Sequence, residues 1–307
     1  MLLDRIKEFE KRSWAIKRYA SERWGDKAPC PIRFVVNPYH GCSIRCSYCY
    51  VWFDKDRNQT KNNFRKALIH DIKRAKEFGV NHLAVEVSSS TDPFQEIEKT
   101  QKDALFAIKE LLKAGFKVII VTKNPKILLQ KEYIHLLDDK NVFLDITITS
   151  LEKLNIQGTV IKSEELTTKE KIDAISKIIE RGKLVRVKVE PIIPSFSGVR
   201  GQSSKEIEKL IEDLSVAGVK LVIAKTLRLN AGLPESSLQA LLSFFKENGN
   251  LIGENYVLND SLRQKLLEPV IKNCQKNNIS FCPCCDDDVF KGENVCNCYV
   301  DGESLMN

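Results

Sequence analysis

Six apolar runs alternating with amphipathic stretches constrain this chain more than any other feature. The runs fall at residues 32–37, 82–88, 117–122, 142–149, 184–193 and 221–229. Several are rich in Val and Ile and continuously apolar, as strands covered on both faces are. Amphipathic stretches at 62–78, 97–114, 126–138, 168–181 and 204–217 lie between them, and 234–247 follows the last run. Gly79, Gly115 and Gly182 stand where three of these helices end, as left-handed C-cap residues do. Thr167 or Thr168 with Lys169 and Glu170 marks a helix start. Six strand–helix units in succession imply a parallel sheet with right-handed crossovers. Curling that sheet into a partial or complete barrel puts the functional loops at the C-terminal ends of its strands. Residues 1–31 read as a basic N-terminal extension, 32–250 as the barrel, and 251–307 as a C-terminal cap. The cap holds a helix at 261–275 and a cysteine-rich end that does not continue the strand–helix beat.

A chain of 307 residues accommodates one such barrel with additions, and 43% hydrophobic residues fill its core. With 29% charged residues, 14 Gly and 10 Pro, disordered and collagen-like classes are excluded. The formal charge of +7 is unevenly placed. From Asp286 onward, Asp286, Asp287, Asp288, Glu293, Asp301 and Glu303 oppose Lys291 alone, so a tail of −5 follows a body of +12. Such a body permits a nucleic-acid or phosphate-bearing partner without naming one. The run from Lys11 to Tyr19 mixes cations with aromatics, which suits phosphate neutralisation and base stacking. It equally suits an amphipathic helix whose Phe9, Trp14 and Ile16 pack on the barrel. The opening MLLDRIKEFEKR is too charged for a signal peptide, and no apolar run approaches the about 18 residues of a membrane span. A cytoplasmic protein with no membrane contact is the expectation.

The 10 cysteines are bunched. In a reducing compartment, clustered thiols read as metal ligands rather than as a disulfide framework. Cys42, Cys46 and Cys49 follow the first strand in the segment Asn37-Pro38-Tyr39-His40-Gly41-Cys42-Ser43-Ile44-Arg45-Cys46-Ser47-Tyr48-Cys49-Tyr50. Three thiolates spaced C-x3-C-x2-C can hold three irons of a [4Fe–4S] cluster and leave the fourth iron open to a cofactor or substrate. A zinc knob is the alternative; it needs a fourth ligand, for which His40 or water is at hand. Near the C-terminus, Cys282, Cys284, Cys285, Cys296 and Cys298 offer five thiols where an auxiliary [4Fe–4S] cluster or a zinc site needs four. Cys30 and Cys274 stand apart, as small buried residues do.

The spacing, with Tyr48 before the last cysteine, resembles the radical S-adenosylmethionine (SAM) superfamily. The block from Asn37 to Cys42, the segment Thr91-Asp92-Pro93-Phe94-Gln95-Glu96-Ile97-Glu98, Val121-Thr122-Lys123 and Glu190-Pro191-Ile192-Ile193-Pro194 resemble its spore-photoproduct-lyase-like branch, often labelled DNA repair photolyases. The matches span roughly residues 32–229. The resemblance implies an α/β fold, the radical SAM partial (β/α)6 TIM-like barrel, here with a Cys-rich C-terminal extension. It implies a [4Fe–4S] cluster on Cys42, Cys46 and Cys49 that cleaves SAM reductively, giving a 5′-deoxyadenosyl radical that abstracts hydrogen from a substrate. Tyr48 would lie against the adenine; Thr91, Lys123 and Thr147 match positions that contact the ribose or methionine portion. Tyr48 and Tyr50 would relay a radical. An electron donor such as ferredoxin or flavodoxin and a nucleic-acid substrate are implied in the same way. Asp92 is open between a helix cap and an active-site role.

One departure matters. Spore photoproduct lyase carries a hydrogen-donating Cys in the segment that aligns with Ser88-Ser89-Ser90 here, near Ser89. A serine O–H bond is too strong to return hydrogen readily to a carbon radical. The resemblance therefore reaches radical generation, and not that repair reaction. The competing function class is a zinc-binding, non-catalytic nucleic-acid or interaction protein with structural cysteine clusters.

Overall fold

One eight-stranded sheet carries the molecule, and its strand order follows the chain. The computed structural model describes residues 2–19, 32–49, 59–151, 154–156, 166–233 and 238–284. Strand β1 (Lys17–Arg18) lies antiparallel on β2 (Arg33–Val36). Then come β3 (Ala84–Val87), β4 (Lys117–Thr122), β5 (Val142–Thr147), β6 (Val185–Ile192), β7 (Leu221–Thr226) and β8 (Ser280–Pro283), each parallel to its predecessor. The expected strands are β2 to β7. β8 falls in the segment read as a cap, yet it pairs with β7 through Ile223 opposite Cys282. No pairing joins β1 to β8 among the described residues, so the sheet stays open.

Helices α1 (Leu2–Glu10), α2 (Phe64–Glu77), α3 (Asp103–Lys113), α4 (Thr168–Glu180), α5 (Ser204–Val216), α6 (Gln239–Asn248) and α7 (Asp260–Lys276) accompany it. Thr167 and Ser203 cap α4 and α5 in reciprocal capping boxes with Glu170 and Glu206, the first at the start read from the sequence. Two expected helices are corrected. The one at 97–114 breaks at Lys102 (φ 54°), because the buried Glu98 carboxylate turns back to cap α3, accepting from Ala104 N (3.0 Å) and Leu105 N (2.9 Å). That at 126–138 is two 3-10 turns, Pro125–Leu129 and Ile134–Asp138. Gln130 between them is extended, which lets Tyr133 reach Glu98 Oε1 (3.0 Å) and meet the Phe94 ring edge-on at 5.4 Å. The run at 221–229 also divides: Arg228–Asn230 leaves the main sheet and pairs with Asn255–Leu258, which pairs with Gly249–Ile252.

β4 and β7 carry the expected continuous apolar runs, with Val118–Ile120 and Leu221–Ala224 buried, whereas β2, β3, β5 and β6 alternate. Val36, Val87, Ile120, Leu144 and Val185 align in register, as do Ile146, Val187, Val222 and Phe281. Both rows belong to the core. Residues of the other parity carry charge, including Arg33, Glu86, Asp145, Arg186, Lys188, Glu190 and Lys225. A smaller apolar cluster holds Ile193, Leu227, Leu229, Leu241, Phe245 and Leu258, with Tyr48 packed against it.

Of the N-terminal segment only α1 is helical, and the run from Lys11 to Tyr19, suited by sequence to an amphipathic helix, is turn leading into β1. Ile6, Phe9 and Ile16 are wholly buried, and the Phe9 ring meets Phe34 edge-on at 5.2 Å. Trp14, expected to pack with them, is 67% exposed and stacks on His70 at 4.6 Å. Asp71 on α2 pins this segment. Its Oδ2 accepts from the backbone N–H of Trp14 (2.7 Å), Ala15 (2.7 Å) and Ile16 (2.9 Å). Replacing Asp71 with Ala orphans those amides, and urea unfolding should register a loss of about 2–4 kcal/mol.

Candidate functional site

The cysteine loop leaves β2 and is clamped from the loop after β3. Gln95 is the clamp: its Oε1 accepts from Ser43 N (3.0 Å), while its Nε2 donates to Gly41 O (3.2 Å) and Asp92 O (3.1 Å). Ser43 Oγ returns a bond by accepting from Glu96 N (3.3 Å). Upstream, Tyr39 donates to Glu98 and its oxygen accepts from Asp103 N (3.0 Å). Burial pushes the Glu98 carboxyl above its ordinary value, against the bonds it accepts. A single buried amide and a single buried acid thus hold the N-terminal shoulder of the cysteine loop. Gly41 (φ 65°) and Arg45 (φ 52°) supply its left-handed turns.

Cys42, Cys46 and Cys49 line one cavity of about 520 Å³. Tyr48, Thr91, Lys123 and Thr147, the expected cofactor contacts, line it too. Lys123 Nζ donates to Thr149 Oγ1 (2.9 Å), lies 5.6 Å from the centre of the Tyr48 ring, and shares Thr149 with the Tyr48 hydroxyl at 3.0 Å. Thr149 donates in turn to Glu190 O (3.2 Å). Asp92 takes neither of the two roles left open for it alone. It closes its own turn by accepting from Phe94 N (2.8 Å), and it accepts from Thr122 Oγ1 (2.8 Å) and Lys123 N (2.6 Å), so it fixes the base of the Lys123 side chain. Burial raises its carboxyl against those bonds.

Deeper charges are paired. Arg33 Nε meets Glu86 Oε2 at 2.9 Å and Arg186 Nε meets Asp145 Oδ1 at 2.6 Å. Glu190 stands between Lys188 (2.9 Å) and Lys225 (3.7 Å); burial opposes its ionisation, but the lysines win and hold its carboxyl below the ordinary value. Cys284, just past β8, lines the same cavity, bringing one C-terminal thiol to the first cysteine cluster. Cys282 is buried on β8 and disulfide-bonded. Tyr50, Cys30, Cys285, Cys296 and Cys298 lie outside the described residues. Gln95, Thr149, Glu190 and Lys225 were not singled out as site residues from sequence. Gln95 and Glu190 carried a signal, their places in the Thr91–Glu98 and Glu190–Pro194 blocks; Thr149 and Lys225 carried none.

The donor set fits a [4Fe–4S] cluster with SAM. Among the described residues no three His, Cys, Asp or Glu side chains are grouped to hold a metal ion. His40, one of the two fourth ligands open to a zinc knob beside water, is exposed and is not among the cavity-lining residues. Two hydroxyl oxygens on the cavity, Ser88 Oγ and Thr91 Oγ1, are buried without a hydrogen-bond partner and await a polar ligand.

No family model matches the chain, and no curated protein matches it in sequence. Solved structures do match. A spore photoproduct lyase mutant aligns with TM-score 0.60 at 14% identity over 88% of this chain and 79% of that one. A spore photoproduct lyase mutant with bound AdoMet and dinucleoside spore photoproduct gives 0.55 at 13%, over 81% and 75%. SuiB of Streptococcus suis bound to S-adenosylmethionine gives 0.51 at 18%, over 81% of this chain but only 49% of that one, so the chain spans about half of SuiB. The chain therefore shares the α/β fold of spore photoproduct lyase and SuiB, built on a mostly parallel sheet. No helix among the described residues is long and apolar enough to cross a membrane.

Replacing Gln95 with Ala should leave the circular dichroism spectrum intact while lowering iron retained after anaerobic reconstitution several-fold, because the loop loses its clamp. Burial and then Asp92 push the metal-free Cys42 thiol up to about 12. It is therefore protonated at neutral pH. Alkylation of Cys42 in metal-free protein, followed by mass mapping, should be slow at pH 8 and rise until the pH nears 12.

Proposed function

We propose that the chain is a radical SAM enzyme whose cluster sits on Cys42, Cys46 and Cys49. The observation that carries this reading is the meeting of those thiols, Lys123, Tyr48 and two unpartnered hydroxyls on one cavity of that shared fold. When bound, a reduced [4Fe–4S] cluster supplies the electron that splits SAM into methionine and a 5′-deoxyadenosyl radical. Lys123, held by Asp92 at its backbone and by Thr149 at its ammonium, receives the SAM carboxylate in a charge-assisted bond. The Tyr48 ring, anchored through its hydroxyl, supplies a flat apolar wall for the adenine. Thr91 and Ser88 donate to the ribose hydroxyls, and Thr147 lies in the same wall. The surrounding apolar cluster behind Tyr48 keeps water from the radical.

Ferredoxin or flavodoxin is the fitting class of electron donor, and a reducing cytoplasm the fitting location, since three free thiols must stay reduced. No thiol stands at Ser88, Ser89 or Ser90, so the chemistry after hydrogen abstraction departs from spore photoproduct repair. Five C-terminal cysteines remain the proposed ligands of a second Fe–S or zinc site; Cys282 would first have to be reduced.

Anaerobic reconstitution should give a brown protein with about four iron and four sulfide per cluster. With dithionite and SAM it should release 5′-deoxyadenosine, measured by chromatography, and Cys46→Ala should release none. A colourless protein with stoichiometric zinc, or full cleavage by the variant, would overturn the reading.

A further inference from the structure

We propose that Lys225 binds an anionic group of the substrate, a phosphate or a carboxylate, on the β7 side of the cavity. The inference rests on the radical reading of that cavity and names the class of molecule acted upon.

Three observations carry it. First, Lys225 is presented to the cavity without a hydrogen bond. Its nearest carboxylate, Glu190, is 3.7 Å away, and 31% of its side chain is open. Glu190 is already engaged by Lys188 at 2.9 Å, so one carboxylate serves two ammonium groups. Second, cations outnumber carboxylates two to one among the lining residues, Arg18 and Arg228 being among them, although Arg18 also pairs with Glu10 outside the lining at 3.5 Å. An oxidised cluster with three thiolates carries one negative charge, and SAM one positive charge. Loading both therefore leaves the charge balance of the lining side chains unchanged. Third, Lys225 stands on a different strand from the proposed cofactor contacts. The cysteine loop follows β2 and Lys123 follows β4, whereas Lys225 is on β7, beyond β5 and β6 in the sheet. Its ammonium, beside Glu190 and open to the cavity, suits it to charge-assisted binding of an anion.

The test uses the full chain, anaerobically reconstituted and saturated with SAM. Inorganic phosphate and acetate are titrated separately by calorimetry, and the tighter probe identifies which anion the site prefers. Lys225→Met should weaken that probe by about tenfold or more, and Lys225→Arg should restore it. SAM affinity should be the same in all three proteins. Lys188 still neutralises Glu190 in the Met variant, and an unchanged circular dichroism spectrum checks its fold. Equal probe binding by Lys225→Met, or no binding of either probe by the parent, overturns the proposal. So does a parallel loss of SAM affinity, which would make Lys225 a cofactor contact. If the parent releases no 5′-deoxyadenosine, the radical reading fails while the anion titration still answers for Lys225.

Discussion

Charge buried inside a curled sheet is the constraint on which the rest of the structure depends. An ion taken out of water costs several kcal/mol unless a partner and further hydrogen bonds offset it. The inner parity of the strands carries Arg33, Glu86, Asp145, Arg186, Lys188, Glu190 and Lys225. Neighbouring strands answer with pairs: Arg33 of β2 with Glu86 of β3, and Asp145 of β5 with Arg186 of β6, which stand opposite in register. A one-residue slip of any strand would turn those charges into the apolar core and the valines into the cavity. Register, and with it the position of every cavity residue, is thereby specified from both faces of the sheet.

The same economy governs the cysteine loop. Such a loop needs a firm frame, because residues 41–49 form no helix or strand of their own. The frame comes from a neighbouring loop, the segment from Asp92 to Glu98. Gln95 satisfies Ser43 N and Gly41 O, and Glu98 receives Tyr39 and Tyr133 while capping α3. Asp92 reaches the other way, to Thr122 and Lys123. The block thus links the loop after β2 to the residues after β4, with its own strand between them. Its specific residue types follow from that task, since each polar atom is buried and must find a partner.

Much of the architecture was legible as alternation of apolar and amphipathic segments, and the six expected strands stand in the expected order. The failures share a physical cause. Helix 97–114 was broken by a carboxylate that caps from four residues back, and helix 126–138 gave way so that Tyr133 could reach the same Glu98. Both are tertiary demands that override local propensity. Trp14 left the core for the face of His70, a residue distant in sequence. β8 was overlooked because four residues beside a cysteine-rich end carry little periodic signal, and only docking against β7 makes them a strand.

What the sequence determined by itself is local: the strand–helix beat, the capping box at Thr167, and three thiols placed in one loop after one strand. Spacing along the chain settles such features because their partners are within a few residues. Only the tertiary structure decided which distant groups share the cavity. Thr149 became the hinge between Tyr48 and Lys123, Cys284 arrived from the far end of the chain, and Glu190 was left between two lysines. Those meetings depend on how far the sheet curls, and curl arises from strand twist and side-chain packing summed over the whole sheet.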